Sequence, residues 1–324
     1  MRACMCVCVG VDDPLTQSVK EFVSEGRKER TNSNYEREQI RYIQWCKEKE
    51  IDVTKPNPTV LAAYIAQAWK EKRIKAASVA NTARSAVSDL YKYATEGEKS
   101  VGESKIVRDV YKTITRTAEP SVEKDPLLRE HFTSIFPLIN LEKFIEVRAY
   151  YCMLLMYALG RRGGEMTNIK TKNVVNDERN MIMNVTLEPA KQGRRKIERK
   201  AVAHAPNNPE LNVNLWHDLY MKLRKRENEG KEGEFLFQTV GGKQLSPSTV
   251  RYDMSKLFEK ANLPFDRLGT HSARRGSATA MAEDGVSPAI IDNHCTWAGD
   301  TRNRYIKPST EAKAEATRHL NKRA

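Results

Sequence analysis

The chain has 324 residues, of which 55 are lysine or arginine and 42 are aspartate or glutamate, giving a formal net charge of +13. This length is enough for two domains, and the basic excess favours a nucleic acid or an anionic membrane surface as the partner. The longest apolar run, from Tyr150 to Gly160, is shorter than the roughly 20 residues that a membrane-spanning helix needs, so membrane insertion is not expected.

The first 13 residues are predicted to form a disordered tail. This tail has one basic residue ahead of its apolar run and no clear small-x-small cleavage site, which argues against a secretion signal. Its cysteines, Cys4, Cys6 and Cys8, have no fourth ligand beside them, so a zinc site is not expected. The other cysteines stand singly in the sequence: Cys46, Cys152 and Cys295. Isolated thiols of this kind are typical of a reduced, intracellular protein.

Between residues 14 and 118 the apolar residues recur at helical spacing, which predicts four or five short amphipathic helices. The helices are expected to start near Pro14, Thr31, Pro58, Ser78 and Ser104. This series predicts a small helical bundle as the N-terminal domain. Basic residues on its faces are expected to contact a DNA backbone. These residues are Lys70, Lys72, Arg73, Lys75 and Arg84.

A polar segment bounded by prolines separates two patterns in the chain. Residues 119–125, within EPSVEKDP, are expected to form a linker, and a second domain is expected over residues 126–324. In that domain, the alternating stretches 180–187 and 196–203 predict a β-hairpin within a small sheet that starts near Asn173. Other segments predict helices: 141–159, 214–226, 246–261, 272–283 and 287–294. The expected fold is mainly α with a small β-sheet, a helical bundle followed by an α+β domain.

Two pairs of polar side chains in the second domain share one spacing. Arg162 and Glu165 in GRRGGE are three residues apart, as are His271 and Arg274 in HSARRG. Residues i and i+3 lie on the same face of a helix, so each pair is expected to face one target. Arg161 could take the place of Arg162. Only Arg162, however, has an acid three residues later, and that acid can orient a partly buried guanidinium.

The turn-rich segment EPAKQGRR between the two predicted strands carries Lys191, a further group that could meet His271 and Arg274. Lys196 or Lys200 remains open as an alternative, because the register of a hairpin is poorly defined by sequence alone. The same segment carries Arg194 and Arg195, which are expected to contact DNA.

Two aromatic residues near the C-terminus complete the candidate site. Tyr305 follows Trp297 by eight residues. Trp297 and His294 compete as hydrogen-bond donors at this end of the site, and the distance to Tyr305 along the chain favours Trp297. His294 is then interpreted as a supporting residue at a helix end. Arg275, which follows Arg274 in HSARRG, is an expected DNA contact.

This order of residues, Arg, Lys, His-x-x-Arg, Trp and Tyr, resembles the tyrosine recombinase (phage integrase) family. The stretch YALGRRGGEMTNI, residues 157–169, resembles the first arginine block of that family, although its doubled glycine departs from the commoner single small residue. HSARRG resembles the second block, and the stretch from Trp297 to Tyr305 resembles the third. NYEREQIRYIQWC and SVANTARSAVSDLYKYA resemble the helical, SAM-like core-binding domain. The similarity covers residues 15 to 310.

The resemblance implies an enzyme that cuts and rejoins DNA strands through a 3′-phosphotyrosine intermediate. The implied catalytic residues are Arg162, Lys191, His271, Arg274, Trp297 and Tyr305. The two arginines would clamp the non-bridging phosphate oxygens in a bidentate manner that lysine does not match. Tyr305 would be the nucleophile, and Lys191 would protonate the departing 5′ oxygen. Because arginines supply the charge stabilisation, no metal or other cofactor is implied.

The resemblance also implies partners and a location. Double-stranded DNA would be held by a synaptic homo-tetramer, and residues 311–324 would either dock on a neighbouring subunit or fray as a charged terminus. HSARRG together with Trp297 is similar to eukaryotic mobile-element members of the family, which implies a nuclear location in a eukaryotic host and a cytoplasmic one otherwise. Two alternatives stay open: a type IB topoisomerase, and a catalytically silent relative that only binds DNA.

Overall fold

The computed structural model describes residues 29–92, 100–120, 123–188, 197–229, 231, 233–297, 301–302 and 305–306. The chain divides into two compact units, Met1–Ser121 and Val122–Ala324, and each has its own apolar core. Several predicted features lie outside the described residues: the tail with Cys4, Cys6 and Cys8, the helix expected from Pro14, the turn with Lys191, Arg194 and Arg195, and residues 311–324.

The first unit is helical throughout its described part. Its elements are α1 Glu29–Glu48, α2 Pro58–Lys70, α3 Ala77–Leu90, a 3₁₀ turn Val101–Glu103 and α4 Lys105–Thr117. Helix α2 begins where the sequence predicts, because Pro58 is favourable at a helix start and the Asn57 side chain accepts from two backbone N–H groups of the first turn. In the core, Tyr42 packs edge-on against Tyr64 and Tyr91, with centroid distances of 5.3 and 6.4 Å. The predicted bundle of short helices is confirmed.

The second unit is built around one buried helix. Its described helices are α5 Arg129–Ile135, α6 Phe144–Leu159, α7 Gly163–Met166, α8 Val213–Glu227, α9 Pro247–Lys260, α10 Thr270–Glu283 and α11 Pro288–Cys295. Helix α6 is buried along most of its length and ends at Gly160, whose φ of 60° is left-handed, as expected for a glycine at a helix end. The sequence does not predict α5 and α7, because they are too short to show a helical repeat.

A three-stranded antiparallel sheet completes the second unit. Its strands are β1 Val174–Asp177, β2 Ile182–Leu187 and β3 Glu198–Ala203, paired in that order. Side chains alternate between the two faces of a strand. Glu198 and Lys200 therefore share the inner face of β3 with the buried Val202. The predicted hairpin is confirmed, and two charged side chains point inward from it.

The observed architecture agrees with the predicted fold class, mainly α with a small sheet. Within the described ranges, none of the helices combines the length and the apolar character that crossing a bilayer requires.

Candidate active site

Arg162 stands at the junction between the buried helix α6 and the short helix α7. Its backbone N–H donates to Glu165 Oε2 at 2.9 Å, so the acid three residues later holds Arg162 through the main chain. Its side chain is exposed, and Nη2 lies 3.5 Å from the hydroxyl of Tyr305. The guanidinium of Arg162 is thus directed toward Tyr305.

Gly163, the first of the two glycines after Arg162, allows α7 to approach α10 closely. A Cβ atom on Gly163 would lie 3.0 Å from Cγ2 of Thr270, the first residue of α10. A methyl group at this position would crowd the Thr270 side chain, which would then have to shift. Because Arg162 directly precedes α7, and His271 and Arg274 lie on α10, this contact sets the distance between the two arginine blocks.

Arg274 is almost fully buried, with 2% of its surface exposed. It donates from Nη2 to the backbone carbonyl of Cys295, and its Nη1 lies 3.8 Å from Glu165 Oε2. Its guanidinium carbon lies 5.2 Å from the ring centroid of Trp297 and 5.7 Å from that of Tyr305. Among the described residues its Nε has no hydrogen-bond partner. This cation therefore lies against both aromatic rings of the site.

Trp297 and Tyr305 pack against each other, with ring centroids 4.8 Å apart. The backbone N–H of Tyr305 donates to Arg302 at 2.9 Å, and Arg302 is paired at 2.7 Å with Asp292 of α11. These contacts tie the tyrosine segment to α11. The indole N–H of Trp297 is buried and has no hydrogen-bond partner in the part of the chain that the structure describes. Buried indole N–H groups are normally bonded, so this donor is a candidate to bind a ligand oxygen.

His271 lies in the first turn of α10 and its side chain is exposed. Neighbouring protein atoms nevertheless displace part of the water around its imidazole. This desolvation, followed by the positive charges of Arg162 and Arg274, lowers the pKa of the imidazole below the ordinary value of 6.5. The ring is therefore neutral at neutral pH. A neutral imidazole has one nitrogen that accepts a proton and one that donates a hydrogen bond.

Five of the six predicted catalytic residues thus lie around one pocket: Arg162, His271, Arg274, Trp297 and Tyr305. Their catalytic roles remain predictions. The sixth residue, Lys191, lies outside the described residues.

His294 packs against the end of α6. It hydrogen-bonds the backbone of Ala158, and a Cβ atom on Gly160 would lie 3.2 Å from its Cδ2 atom. Burial, followed by the charge of Lys200, lowers the pKa of His294 to about 4. A neutral histidine bonded to the main chain of α6 is typical of a supporting residue, as the sequence suggests.

Lys200, one alternative to Lys191, has 12% of its side chain exposed. Its Nζ donates to the carbonyl of Asn293 at 2.9 Å, and burial lowers its pKa. Because the ammonium is bonded to the last turn of α11, the geometry disfavours Lys200 as the acid for the leaving group. The other alternative, Lys196, lies outside the described residues.

The basic residues predicted to contact DNA from the first unit differ in their surroundings. Four are exposed: Lys70, Lys72, Arg73 and Lys75. Within the described residues, an ion pair is found among these four only for Arg73. Arg73 is paired with Glu71 at 2.7 Å, and the Arg84 guanidinium carbon lies 5.0 Å from the ring centroid of Tyr111. The three lysines are therefore the better candidates for contacts with a DNA backbone.

Arg275 is turned toward the start of the second unit. It donates from Nη2 to Glu123 at 2.6 Å and from Nη1 to the carbonyl of Lys124, and its side chain is 12% exposed. Its guanidinium carbon lies 5.9 Å from the ring centroid of Tyr305. These contacts favour a supporting role behind the tyrosine over the DNA contact that the sequence predicts.

Arg161 belongs to a buried cluster that the sequence does not predict. Its side chain is 4% exposed, and Nη2 donates to Glu198 and to Oγ1 of Thr296, the latter at 2.7 Å. The guanidinium therefore faces the interior, which disfavours Arg161 as a replacement for Arg162 at the phosphate. One signal for this cluster was available, since Glu198 lies four residues before Val202 and therefore on the same inner face of β3.

Two family models match the chain. Residues 130–311 match the model described as the phage integrase family. Residues 20–98 match the model described as the phage integrase N-terminal SAM-like domain. The first match covers more than half of the chain. No curated protein sequence matches the chain.

Several solved structures are similar to the chain. The Tn1549 transposon integrase in complex with circular intermediate DNA is 15% identical, with a TM-score of 0.61, and the match covers 93% of this chain and 98% of that one. A lambda integrase tetramer bound to a Holliday junction is 19% identical, with a TM-score of 0.59 and coverages of 92% and 82%. XerH site-specific recombinase bound to palindromic difH substrate is 13% identical, with a TM-score of 0.57 and coverages of 82% and 71%. At these identities the similarity establishes a common fold.

Proposed function

The chain belongs to the phage integrase family, and on this basis we propose that Tyr305 attacks a DNA phosphodiester within the pocket of Arg162 and Arg274. The protein is a site-specific recombinase, an enzyme that cuts DNA strands and rejoins them. The observation that carries the residue assignment is the 3.5 Å approach of the Arg162 guanidinium to the Tyr305 hydroxyl. A phenol beside two guanidiniums is placed for attack on an anionic phosphate.

The proposed reaction is a transesterification at one phosphodiester bond. The Tyr305 oxygen bonds to phosphorus while the bond from phosphorus to the 5′ oxygen breaks. The products are a 3′-phosphotyrosine and a free 5′-hydroxyl. The neutral imidazole of His271 accepts the phenol proton on one ring nitrogen and can hydrogen-bond the phosphate through the other, and the Lys191 ammonium protonates the departing oxygen. Since the number of phosphoester bonds is unchanged, a 5′-hydroxyl from a partner strand can reverse the step without an energy source.

The surrounding donors are proposed to stabilise the transition state. The pentacoordinate phosphorus carries extra negative charge on its non-bridging oxygens. The guanidiniums of Arg162 and Arg274 each present several N–H donors in a planar fork that matches those oxygens. The indole N–H of Trp297, which has no hydrogen-bond partner among the described residues, adds a neutral donor at the edge of the same pocket. Because these donors are already in place before the reaction, they stabilise the negative charge that develops in the transition state without first having to reorganise.

We also propose that each active site is complete within one subunit and that recombination takes place in a homo-tetramer on DNA. The contact between Arg162 and Tyr305 is within one chain, which supports cleavage by a subunit's own tyrosine. Exchange of two duplexes requires four strand cuts, and four subunits supply them. The similarity to the lambda integrase tetramer is consistent with this assembly. Residues 311–324, which closely follow Tyr305, are proposed to dock on a neighbouring subunit.

A covalent-complex experiment tests the nucleophile. The target is a short inverted repeat sought in the DNA that flanks the gene, prepared as a duplex with a nick beside the cleavage point so that the cut strand diffuses away. The wild-type protein should form an adduct that survives denaturing electrophoresis. Tyr305→Phe should form no adduct while binding the duplex with unchanged affinity. An adduct that persists with phenylalanine would show that another residue is the nucleophile.

The same materials separate the two alternatives. A type IB topoisomerase would relax supercoiled plasmid that lacks the target site, whereas the recombinase should act only on plasmid that carries it. A silent DNA-binding relative would shift the duplex in a native gel and yield no adduct with any substrate.

The origin of the protein in a eukaryotic mobile element is a further proposal. It rests on the combination of HSARRG with Trp297 and implies that the recombinase works in the nucleus. A tagged full-length chain expressed in eukaryotic cells should then accumulate in nuclei, and exclusion from nuclei would contradict the proposal.

A further inference from the structure

Three segments that are far apart in the sequence meet at the side chain of Arg161. Its Nη2 donates to Glu198 on β3 and to Oγ1 of Thr296 at 2.7 Å. The Thr296 hydroxyl in turn donates to Glu198 Oε2 at 2.9 Å, which closes a triangle of hydrogen bonds. A second bond joins the same strand to the same helix end, since Lys200 Nζ donates to the carbonyl of Asn293 at 2.9 Å. The last turn of α11 is therefore held from the side by β3 and Arg161.

Thr296 occupies a strained backbone conformation. It is the residue after α11 and has a φ of 53°, a left-handed conformation that is unfavourable for a β-branched residue. Its N–H donates to Asn293, and the N–H of Trp297 donates to Asp292 at 2.8 Å, which is the pattern in which helices usually end at glycine. Strain of this kind persists only where the surroundings hold it, and it is concentrated at functional sites.

Stability alone gives a weak reason for this cluster. A buried ion pair loses much of its Coulomb attraction to the desolvation of its charges, and apolar residues of similar size often serve as well. Arg161 also has a buried Nε with no hydrogen-bond partner in the described ranges, which adds to the free-energy cost of removing this side chain from water. What the cluster does supply is geometry, because it determines where the chain leaves α11. The next residue is Trp297, whose indole lies 4.8 Å from the Tyr305 ring.

We propose that Arg161 is a positioning residue of the reaction. Arg161 and Glu198 both hydrogen-bond the Thr296 hydroxyl. In this way they hold the indole N–H of Trp297 in the position where that N–H binds the phosphate. Arg161 itself does not touch the DNA. The inference rests on the proposed function, because it needs a phosphate beside Trp297 and Tyr305. It assigns a role to the first arginine of GRRGGE, which the second, Arg162, does not share.

A double-mutant cycle between Arg161 and Trp297 tests the proposal. Single-turnover cleavage is measured at saturating target duplex for the wild type, Arg161→Lys, Trp297→Phe and the double variant. Lysine keeps a positive charge near Glu165, from which Arg161 Nη1 lies 3.5 Å. Its shorter side chain and single ammonium, however, do not reproduce the guanidinium geometry that bonds Glu198 and Thr296. Phenylalanine removes the N–H that is to be positioned. We expect Arg161→Lys to slow cleavage by about tenfold, with unchanged affinity for DNA, because small misplacements of a reacting group have large effects on rate. In the Trp297→Phe background the lysine substitution should have no further effect.

Thr296→Val is a second variant, chosen because it should disturb the fold less than Arg161→Lys does. Valine matches threonine in shape and in backbone preference, and it removes only the hydroxyl that Arg161 and Glu198 bind. This variant should also slow cleavage severalfold, and its effect should likewise disappear when Trp297 is phenylalanine. Rates equal to that of the wild type for both Arg161→Lys and Thr296→Val, or effects that multiply with that of Trp297→Phe, would overturn the proposal.

Arg148→Lys is a matched control. Arg148 is a buried arginine of the same unit, with 4% of its side chain exposed. It donates to Asp253 at a distance of 2.6 Å, and neither residue belongs to the pocket. Its substitution should lower the stability as Arg161→Lys does, yet leave the cleavage rate of the folded protein unchanged in both Trp297 backgrounds. This outcome can be distinguished from failure of the proposed function. An adduct that survives Tyr305→Phe would refute the assignment of Tyr305 as the nucleophile. Effects of Arg161→Lys and Trp297→Phe on the cleavage rate that multiply would refute only the role of Arg161.

Discussion

Glu165 holds Arg162 through the main chain rather than through its guanidinium. The carboxylate oxygen Oε2 accepts the backbone N–H of Arg162 at 2.9 Å and lies 3.8 Å from Nη1 of Arg274. The acid therefore caps α7 and partly balances two buried arginines, Arg274 and Arg161, the second of which has its Nη1 3.5 Å from Glu165 Oε1. The exposed guanidinium of Arg162 is left directed at Tyr305. The two arginines of the pocket consequently differ in what each contributes to the fold.

Lysine substitutions should separate these contributions. Arg162→Lys and Arg274→Lys should each lower the single-turnover cleavage rate by about 10²- to 10³-fold, because an ammonium cannot bind two phosphate oxygens as a guanidinium fork does. Only Arg274→Lys should also lower the free energy of unfolding, by about 1–3 kcal/mol, because its guanidinium is buried and bonded to Cys295. Quenched-flow cleavage and urea unfolding provide the two measurements. Equal stability losses in both variants would contradict the assignment of Arg162 to an exposed position.

Replacement of Trp297 should distinguish its N–H from its ring. Trp297→Phe keeps a ring against Tyr305 but removes the donor, so cleavage should slow about tenfold, the equivalent of roughly 1.4 kcal/mol, with little change in thermal stability. Trp297→Ala should also loosen Tyr305 and lower the melting temperature, since the rings pack with centroids 4.8 Å apart. If Trp297→Phe cleaves as fast as the wild type, the indole N–H does not bind the phosphate.

The titration of His271 should report on the cations around it. In the free protein its pKa should lie below 6.5, because desolvation and then Arg162 disfavour the protonated ring. Removal of one charge in Arg162→Met should raise this pKa toward the ordinary value. The imidazole signal can be followed by NMR between pH 4.5 and 8 and assigned by its loss in His271→Gln. A midpoint above 6.5 in the wild type would contradict the neutral state that the proposed mechanism uses.

Protonation of His294 should destabilise the fold in weak acid. Its pKa is about 4 in the folded protein against an ordinary value of 6.5, so between these values the unfolded chain binds more protons than the folded one. The stability contributed by the neutral ring is fully present above pH 6.5 and is lost as the pH falls toward 4, with a total of about 3 kcal/mol. Urea unfolding at several pH values measures this loss. The difference between the wild type and His294→Gln isolates it from other groups, and parallel pH profiles would contradict the prediction.

Local patterns in the sequence are enough to determine the fold class and the order of the chemical groups. The helix ends at Pro58 and Gly160 are readable because they depend on residues within one turn of the helix. The order of arginine, histidine and tyrosine blocks is likewise a property of the chain and needs no coordinates. Helix α5 cannot be predicted in this way, because a helix of 7 residues is too short to show a periodic apolar pattern.

Only the tertiary structure decides what two adjacent arginines do. Arg161 and Arg162 have the same chemistry and the same neighbours in sequence. One turns inward to Glu198 and Thr296, and the other turns outward to Tyr305. The physical reason is that a guanidinium is buried only where acceptors from elsewhere in the chain compensate its lost hydration. Those acceptors lie 37 and 135 residues away, beyond the reach of any local pattern.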